Sequence, residues 1–581
     1  MAVAQYDYVV VGAGTAGLSL ATRLAQADKS VLVLEAGKDS STAPEVNIPG
    51  FFMKNIGHPD RDWAFFSQPQ AHANARAVYL PRGKGVGGTS VLNFIQWNRA
   101  SSVEYDALES LGLKGWNWEN MLHYFKKSET LVAPESAQEA TVLGLDPSVH
   151  GKSGPIIVSP PTQLSSVHMP FLKGFEELGF PTNYDSSNGN NDVTRSSSAS
   201  VYLKVKKSLP QLEVRPGAQV ACIRFSDEFN AEGQVAATGV EFIEEGEKRF
   251  AKALKEVIVC GGAYQTPQVL ELSGIGDREV LDKFNIKQVV DLPGSLTSLT
   301  EEHIYVPTAF ELKDGLQSWD ELQNPQRLQE EIEKYYSEKK GMLTTLPYSY
   351  GYIPWQAVTP EVAIRTAVDE ALQDSDEVFP SIAKTWAVQR ELLDQPAAAL
   401  EIMQAANYHP AVGITPEAGK GHCSIGGLLQ RPFSRGTVHI QSSDPFAAPA
   451  IDPEFLSKKA DLDLLVDSVR FIRKLAQTGA YQAAVVREVA PGPAVQMREA
   501  LEKYVTENFQ TVFHPVSTAT MLPREDGGVV DSELRVYGTA NVRVADASVI
   551  PLHIAAHPQS TVYAIAEKAA DLVLQAAAKV N

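Results

Sequence analysis

Two glycine clusters and a pair of histidines are the parts of this chain whose residue types and spacing can do chemistry. Gly12-Ala13-Gly14-Thr15-Ala16-Gly17 follows a β-branched run at residues 8–11 and opens an apolar helical pattern through Leu18, Leu20 and Leu24. A second strand-like run at 31–34 ends at Glu35, with Ala36 beyond it. Strand, G-x-G-x-x-G, helix, strand and acid within about 30 residues is the spacing of a dinucleotide-binding unit. Gly12 permits the tight turn, and Gly14 lets the backbone approach a pyrophosphate. Gly17 lets helix and strand pack closely, so that the helix N-terminus points at the anion. Glu35 is placed to accept hydrogen bonds from ribose hydroxyls, and Thr15, Ala16 and Ala36 complete the candidate site. The motif does not separate FAD from NAD. The second cluster, Arg82-Gly83-Lys84-Gly85-Val86-Gly87-Gly88-Thr89-Ser90-Val91-Leu92-Asn93, suits another close approach to a phosphate or a ring. Its spacing is not that of a Walker loop.

His514 and His557 each precede a proline. Imidazole is neutral near pH 7 and can take a proton there, whereas carboxylates are weak bases and lysine is mostly protonated. His553 and His557 stand at i and i+4, a zinc spacing on a helix. Pro551 and Pro558 bracket the pair and no acidic third ligand follows, so no metal is expected. A G-x-S-x-G elbow is absent, which argues against a serine hydrolase.

These groups need strands and helices to hold them. Strand patterns occupy 211–225, 235–242 and 256–260. Helical patterns occupy 325–339, 360–375, 382–393, 462–476 and 560–578. Tyr348, Tyr350 and Tyr352 alternate, so an extended chain would turn them to one side, as an aromatic wall or as an ordinary edge strand. The length, 581 residues, suggests about three or four domain-sized units. A net charge of −19 repels phosphate backbones and argues against nucleic-acid binding. Three cysteines are too few for a disulfide framework. No apolar run reaches the ~18–20 residues of a membrane span. The N-terminus shows no secretory signal, which fits an intracellular protein or a mature secreted one; compartment and oligomeric state stay open.

Further motifs carry a family resemblance. Asp62-Trp63 precedes the second glycine cluster, and residues 262–276 read G-A-Y-Q-T-P-Q-V-L-E-L-S-G-I-G. Ser434-Arg435-Gly436-Thr437-Val438, His514-Pro515-Val516, Val530-Asp531, the block at 543–548 and His557-Pro558 follow in order. From end to end the chain resembles the glucose-methanol-choline (GMC) oxidoreductases. The resemblance implies a mixed α/β fold: a Rossmann-like FAD-binding domain (1–165, 201–303 and 528–581) and a discontinuous substrate domain (166–200 and 304–527) built on an antiparallel sheet with helices. It implies FAD contacts from Arg82, Gly85, Gly88, Thr89, Ser90 and Asn93, and from Val220 near the adenine. Asp546 and Ala547 would lie near the ribityl chain or pyrophosphate. Pro558, Gln559 and Ser560 would start a helix whose dipole stabilises charge on the reduced flavin. His514 and His557 would face the flavin ring, His514 as principal base and His557 orienting the hydroxyl, while hydride passes to flavin N5.

Leu92 stands where members with covalent FAD often carry histidine, which favours noncovalent FAD. Two departures stand out: Ser517 replaces a family glycine, and the loop 293–303 lacks a glycine and carries an extra residue. The expected reaction is FAD-dependent oxidation of an alcohol, with O2 or another acceptor reoxidising the flavin. The aromatic stretch with Phe94, Trp97 and Phe513 makes an aromatic primary alcohol the preferred substrate. A sugar or polyol dehydrogenase, or a non-redox lyase or cyclase on the same fold, are the alternatives. An NAD-dependent dehydrogenase would leave the second glycine cluster and the C-terminal block unexplained.

Overall fold

The computed structural model describes residues 4–132, 146–158, 163–181, 196–206, 208–292, 299, 304–373, 378–395, 397–409, 417 and 419–580. The altered loop at 293–303 lies outside these residues except for Leu299.

Ala4–Val11 sits at the centre of a seven-stranded sheet. Its buried apolar second half pairs in parallel with Val31–Glu35 on one side and with Glu247–Val259 on the other. Leu212–Pro216 and Val542–Val544 extend the parallel part. Val235–Glu244 and Ala218–Phe229 add an antiparallel flank. Strands that read as continuous Val/Ile/Leu runs need cover on both faces. Helices Thr15–Gln26 and Gln559–Val580, packed against each other, supply part of that cover. The mixed α/β architecture expected from the motifs is what forms.

A second sheet of six antiparallel strands runs in the order Tyr348–Ile353, Leu400–Ala405, His422–Leu429, Ile304–Leu312, Val485–Ala490, with Gln510–Thr511 beside Ile304. Helix Lys459–Ala476 covers one face and approaches so closely that a side chain at Gly427 would meet Ser468. The other face carries Tyr348, Tyr350, Met403 and Glu401 toward the first sheet's C-terminal edge, where open α/β sheets place their ligands. Core membership crosses the sequence bounds of the two expected domains. Phe65, Ala73, Val78 and Leu80 pack into the second core, whereas Ala199, Val516, Ala519 and Leu522 pack into the first.

One carboxylate links the halves. Helix Ser102–Ser110 begins with a capping box, Ser101 and Glu104 satisfying each other's backbone amides. The other oxygen of Glu104 accepts from the buried Arg431 guanidinium and from the Ala555 N–H at 2.7 Å. The start of that helix, an arginine of the second half and the turn before His557 therefore share one side chain.

Candidate functional site

The first glycine cluster closes on its neighbours by backbone contact. Gly12 has φ +99°, and a Cβ there would lie 2.4 Å from the Cys260 carbonyl oxygen. A Cβ at Gly17 would lie 1.9 Å from the Gly12 oxygen, so the tight helix–strand packing expected of Gly17 is present and Gly17 itself lies behind the cavity. Gly88, at φ +50°, sets its missing Cβ 2.6 Å from the Gly14 Cα. The two clusters, about 70 residues apart in sequence, thus meet at one trough. Glu35 faces that trough and accepts from the N–H groups of Ala13 (2.9 Å), Gly37 (2.8 Å) and Gly85 (3.1 Å). Burial pushes its carboxyl above the usual range, and the three donors pull against that. Gly85 therefore holds Glu35 rather than lining the cavity.

A single cavity runs from this trough past Val220, Asp546 and Ala547 to the two histidines. Thr15, Ala16, Ala36, Arg82, Thr89 and Asn93 line it, as do Pro558 and Gln559. Asp546 spends its carboxylate on structure, accepting from Gly262 N–H, the Thr266 hydroxyl and Ser548, so it ties two turns beneath the cavity. Asn93 donates to Gln559 at 2.7 Å, bringing the second glycine cluster to the C-terminal helix start. Ser90 and Ser560 stand one layer back, bonded to Gly87 O and Asn98 O.

At the far end the His514 and His557 rings are 4.8 Å apart at 75°. Their supports differ. His557 Nε2 donates to Glu401 Oε1 at 3.2 Å, and Glu401 has no exposed surface. That tautomer makes Nδ1 the acceptor of a neutral His557 ring. His514 is carried by the chain leaving Gln510–Thr511, and its carbonyl lies 3.1 Å from His553 Nε2, while His553 Nδ1 lies 3.0 Å from Ile554 O. Both ring nitrogens of His553 thus face carbonyl oxygens, of which a neutral ring serves one as donor. The described residues contain no group of three potential metal ligands. Desolvation pushes His514 well below the ordinary histidine range, helped by His557, His553 and Arg82. Arg82 itself donates to Phe513 O.

Of the aromatic residues expected to line this end, Phe94 and Phe513 do, whereas Tyr348, Tyr350 and Tyr352 stand one layer behind the cavity wall. Phe94 stacks on Tyr348 at 6.0 Å and meets Phe513 edge-on at 6.4 Å, with Phe52 at 4.8 Å. Tyr350 packs edge-on against His557 at 5.6 Å. Tyr352 receives a hydrogen bond from Asn98 and lies behind Glu401. The three alternating tyrosines do share one face, as the period of a strand requires. Trp97 corrects the sequence expectation: its indole donates to buried Glu129 at 2.6 Å and packs on Tyr563, away from the cavity.

Glu401 and Asn98 are the site residues that motif reasoning missed. Asn98 accepts from His557 N–H, donates to Tyr352 and receives Ser560 through its carbonyl. A lone glutamate in the apolar run 397–406 was the available signal, since a buried carboxylate needs a partner. Ser517 also finds its explanation. Its φ is +71°, the conformation glycine adopts cheaply, and its hydroxyl donates to Ile550 O at 2.7 Å. Ser517 therefore holds a left-handed backbone position that a glycine would occupy at less cost.

Two family profiles, both described as GMC oxidoreductase, match residues 6–289 and 432–566. Dehydrogenase citC of Monascus ruber is 33% identical, over 98% of this chain and 96% of its own length. Among solved structures, an FAD-dependent oxidoreductase from Chaetomium thermophilum superposes with a TM-score of 0.87 at 28% identity, covering 99% of this chain and 100% of that one. A fungal aryl-alcohol oxidase superposes at 0.86 with 28% identity, covering 99% of both chains.

Proposed function

The chain belongs to the GMC oxidoreductase family, and from that premise we propose that it oxidises an aromatic primary alcohol to the carbonyl, using noncovalently bound FAD and either O2 or another acceptor. The observation that carries this reading is the paired imidazoles at one end of a cavity whose other end is a glycine trough beside Glu35.

The residues present fit FAD. Backbone-to-backbone contact of Gly14 with Gly88 leaves a trough free of side chains for a pyrophosphate. Val220, Asn93, Ala547 and Gln559 line the continuation. Leu92 lines it too and offers no nucleophile. When bound, the flavin supplies an acceptor for the hydride of the carbinol carbon. The protein's part is the proton and the pose. His514, held neutral by desolvation and by the Arg82 charge nearby, takes the hydroxyl proton. His557, anchored by its Nε2–H···Glu401 bond, packs against the His514 ring and so sets the pose in which the hydroxyl gives its one proton to His514. Phe94 and Phe513, backed by Tyr348 stacked on Phe94, exclude water and offer faces and edges to an aromatic ring.

The test is an absorbance spectrum of purified protein, taken before and after anaerobic addition of benzyl alcohol and then air. The reading expects a flavin spectrum that bleaches with alcohol. A protein without flavin, or a flavin that no alcohol reduces, would overturn it. Acid precipitation should leave FAD in the supernatant; yellow pellets would refute noncovalent binding.

A further inference from the structure

On the face of the second sheet that meets the cavity, Tyr305 is 2% exposed, and among the described residues its OH has no hydrogen-bond partner. Its neighbours of the same type are provided for: Tyr504 donates to Pro307 O, and Tyr352 is bonded to Asn98. The Tyr305 ring lies over Gly426, where a Cβ would come within 1.6 Å of Cε2. That absent side chain is what lets the ring lie flat on the sheet. From there it packs with Met403 and Leu428, against Tyr348, Tyr350 and Val512. Met403 and Val512 belong to the lining of the same cavity as His514 and His557. The backbone of Tyr305 pairs with Gln510, four residues before His514. Tyr305 thus packs behind two residues of the cavity wall, Met403 and Val512, without lining the cavity itself.

A buried hydroxyl without a partner costs stability, and such groups in native proteins call for an explanation. Met403, Leu428 and Val512 beside the ring are apolar, and the His409 ring meets it edge-on at 5.3 Å. Met403 is an unbranched, adaptable side chain that can swing aside for a ligand. We propose that the Tyr305 hydroxyl is a specificity-determining group that bonds a second oxygen on the substrate, so that the preferred substrate is a benzylic alcohol carrying a ring hydroxyl or alkoxy group. The inference rests on the aromatic-alcohol reading above and narrows it. The alcohol end is held at the histidines, and the oxygenated ring position meets the phenol of Tyr305. A site that offers a buried hydroxyl discriminates against an analogue lacking the matching oxygen, because the protein group then stays unpaired.

The experiment compares kcat/KM of the flavin-loaded enzyme for hydroxy- and methoxybenzyl alcohols with that for benzyl and methylbenzyl alcohol, in wild type and Tyr305→Phe. The wild type should prefer the oxygenated ring, and the variant should lower that preference ratio about tenfold, the worth of one neutral hydrogen bond. The loss should fall on KM more than on kcat. Equilibrium titration with hydroxybenzaldehyde against benzaldehyde, read from the flavin spectrum, should show the same ratio. Tyr305→Phe should melt no lower than wild type, since it removes an unpaired group. Gly426→Ala, which displaces the ring but keeps the hydroxyl, should lower the ratio as well. A wild type without the preference, or a Tyr305→Phe variant that retains it, would overturn the inference and leave the aromatic-alcohol reading standing. Flavin reduced by other alcohols but by no benzylic one would sink that reading, and this inference with it.

Discussion

Replacing Glu401 with glutamine tests whether the two imidazoles are merely adjacent or are set by their surroundings. The substitution keeps shape and an acceptor oxygen while removing a charge 3.2 Å from His557 Nε2, at a position with no exposed surface. Glutamine leaves a neutral hydrogen bond in place of a charge-assisted one, a difference of about 1–1.5 kcal/mol, or roughly tenfold in rate. The assay is anaerobic stopped-flow, following flavin bleaching at saturating alcohol. The limiting rate should fall about tenfold, with a smaller change in the dissociation constant of the alcohol. The double variant Glu401→Gln/His557→Ala should be no slower than His557→Ala alone, because the carboxylate acts through that ring. A limiting rate within about threefold of wild type, or multiplicative effects in the double variant, would refute the reasoning.

Ser517→Gly should change stability by no more than about 1 kcal/mol, relief of the positive φ offsetting the lost bond to Ile550, whereas Ser517→Val should cost about 2–3 kcal/mol; thermal melts decide. Gly17→Ala should yield protein with little bound FAD, since its Cβ would strike the Gly12 carbonyl at 1.9 Å; the ratio of absorbance at 450 to 280 nm, scored against roughly wild-type levels, is the check. Acid should destabilise the fold through buried neutral histidines. His409 is pushed down to about 4 by burial, below the 6.5 of an exposed imidazole, so its contribution is complete above pH 6.5 and is lost as pH falls toward 4. That amounts to up to about 3 kcal/mol, and His168 and His514 shift the same way, so melting temperature should drop steeply over that window. A flat profile would contradict these shifts. For the same reason flavin reduction should hold its rate well below pH 6.5 before the base protonates.

The nucleotide end was legible because its determinants are local: a strand, three glycines and an acid within one short segment. Nothing in that segment revealed that Glu35 would be pinned by Gly85, fifty residues away, since that contact exists only once the two clusters meet. The histidines were found through the order of motifs around them. Their supports were not, because Glu401 reaches His557 across a gap of 156 positions and Asn98 across 459. The tyrosine alternation predicted a shared face correctly, as strand geometry dictates. Trp97 misled because proximity to a motif says nothing about which way an indole turns. Its donor N–H went to a buried carboxylate that the sequence places 32 residues later.

Glu104 has a consequence for how such a protein can change. Its carboxylate joins a helix start, an arginine more than three hundred positions downstream and the turn leading into His557. Breeding a new specificity by swapping the back half for a cousin's would separate donor from acceptor unless both travelled together. The orphaned guanidinium would cost about 3–5 kcal/mol, a third or more of what usually holds a domain folded. Inheritance of this catalyst is thus constrained at a place no substrate ever touches: its two halves must be exchanged as matched parts or left alone.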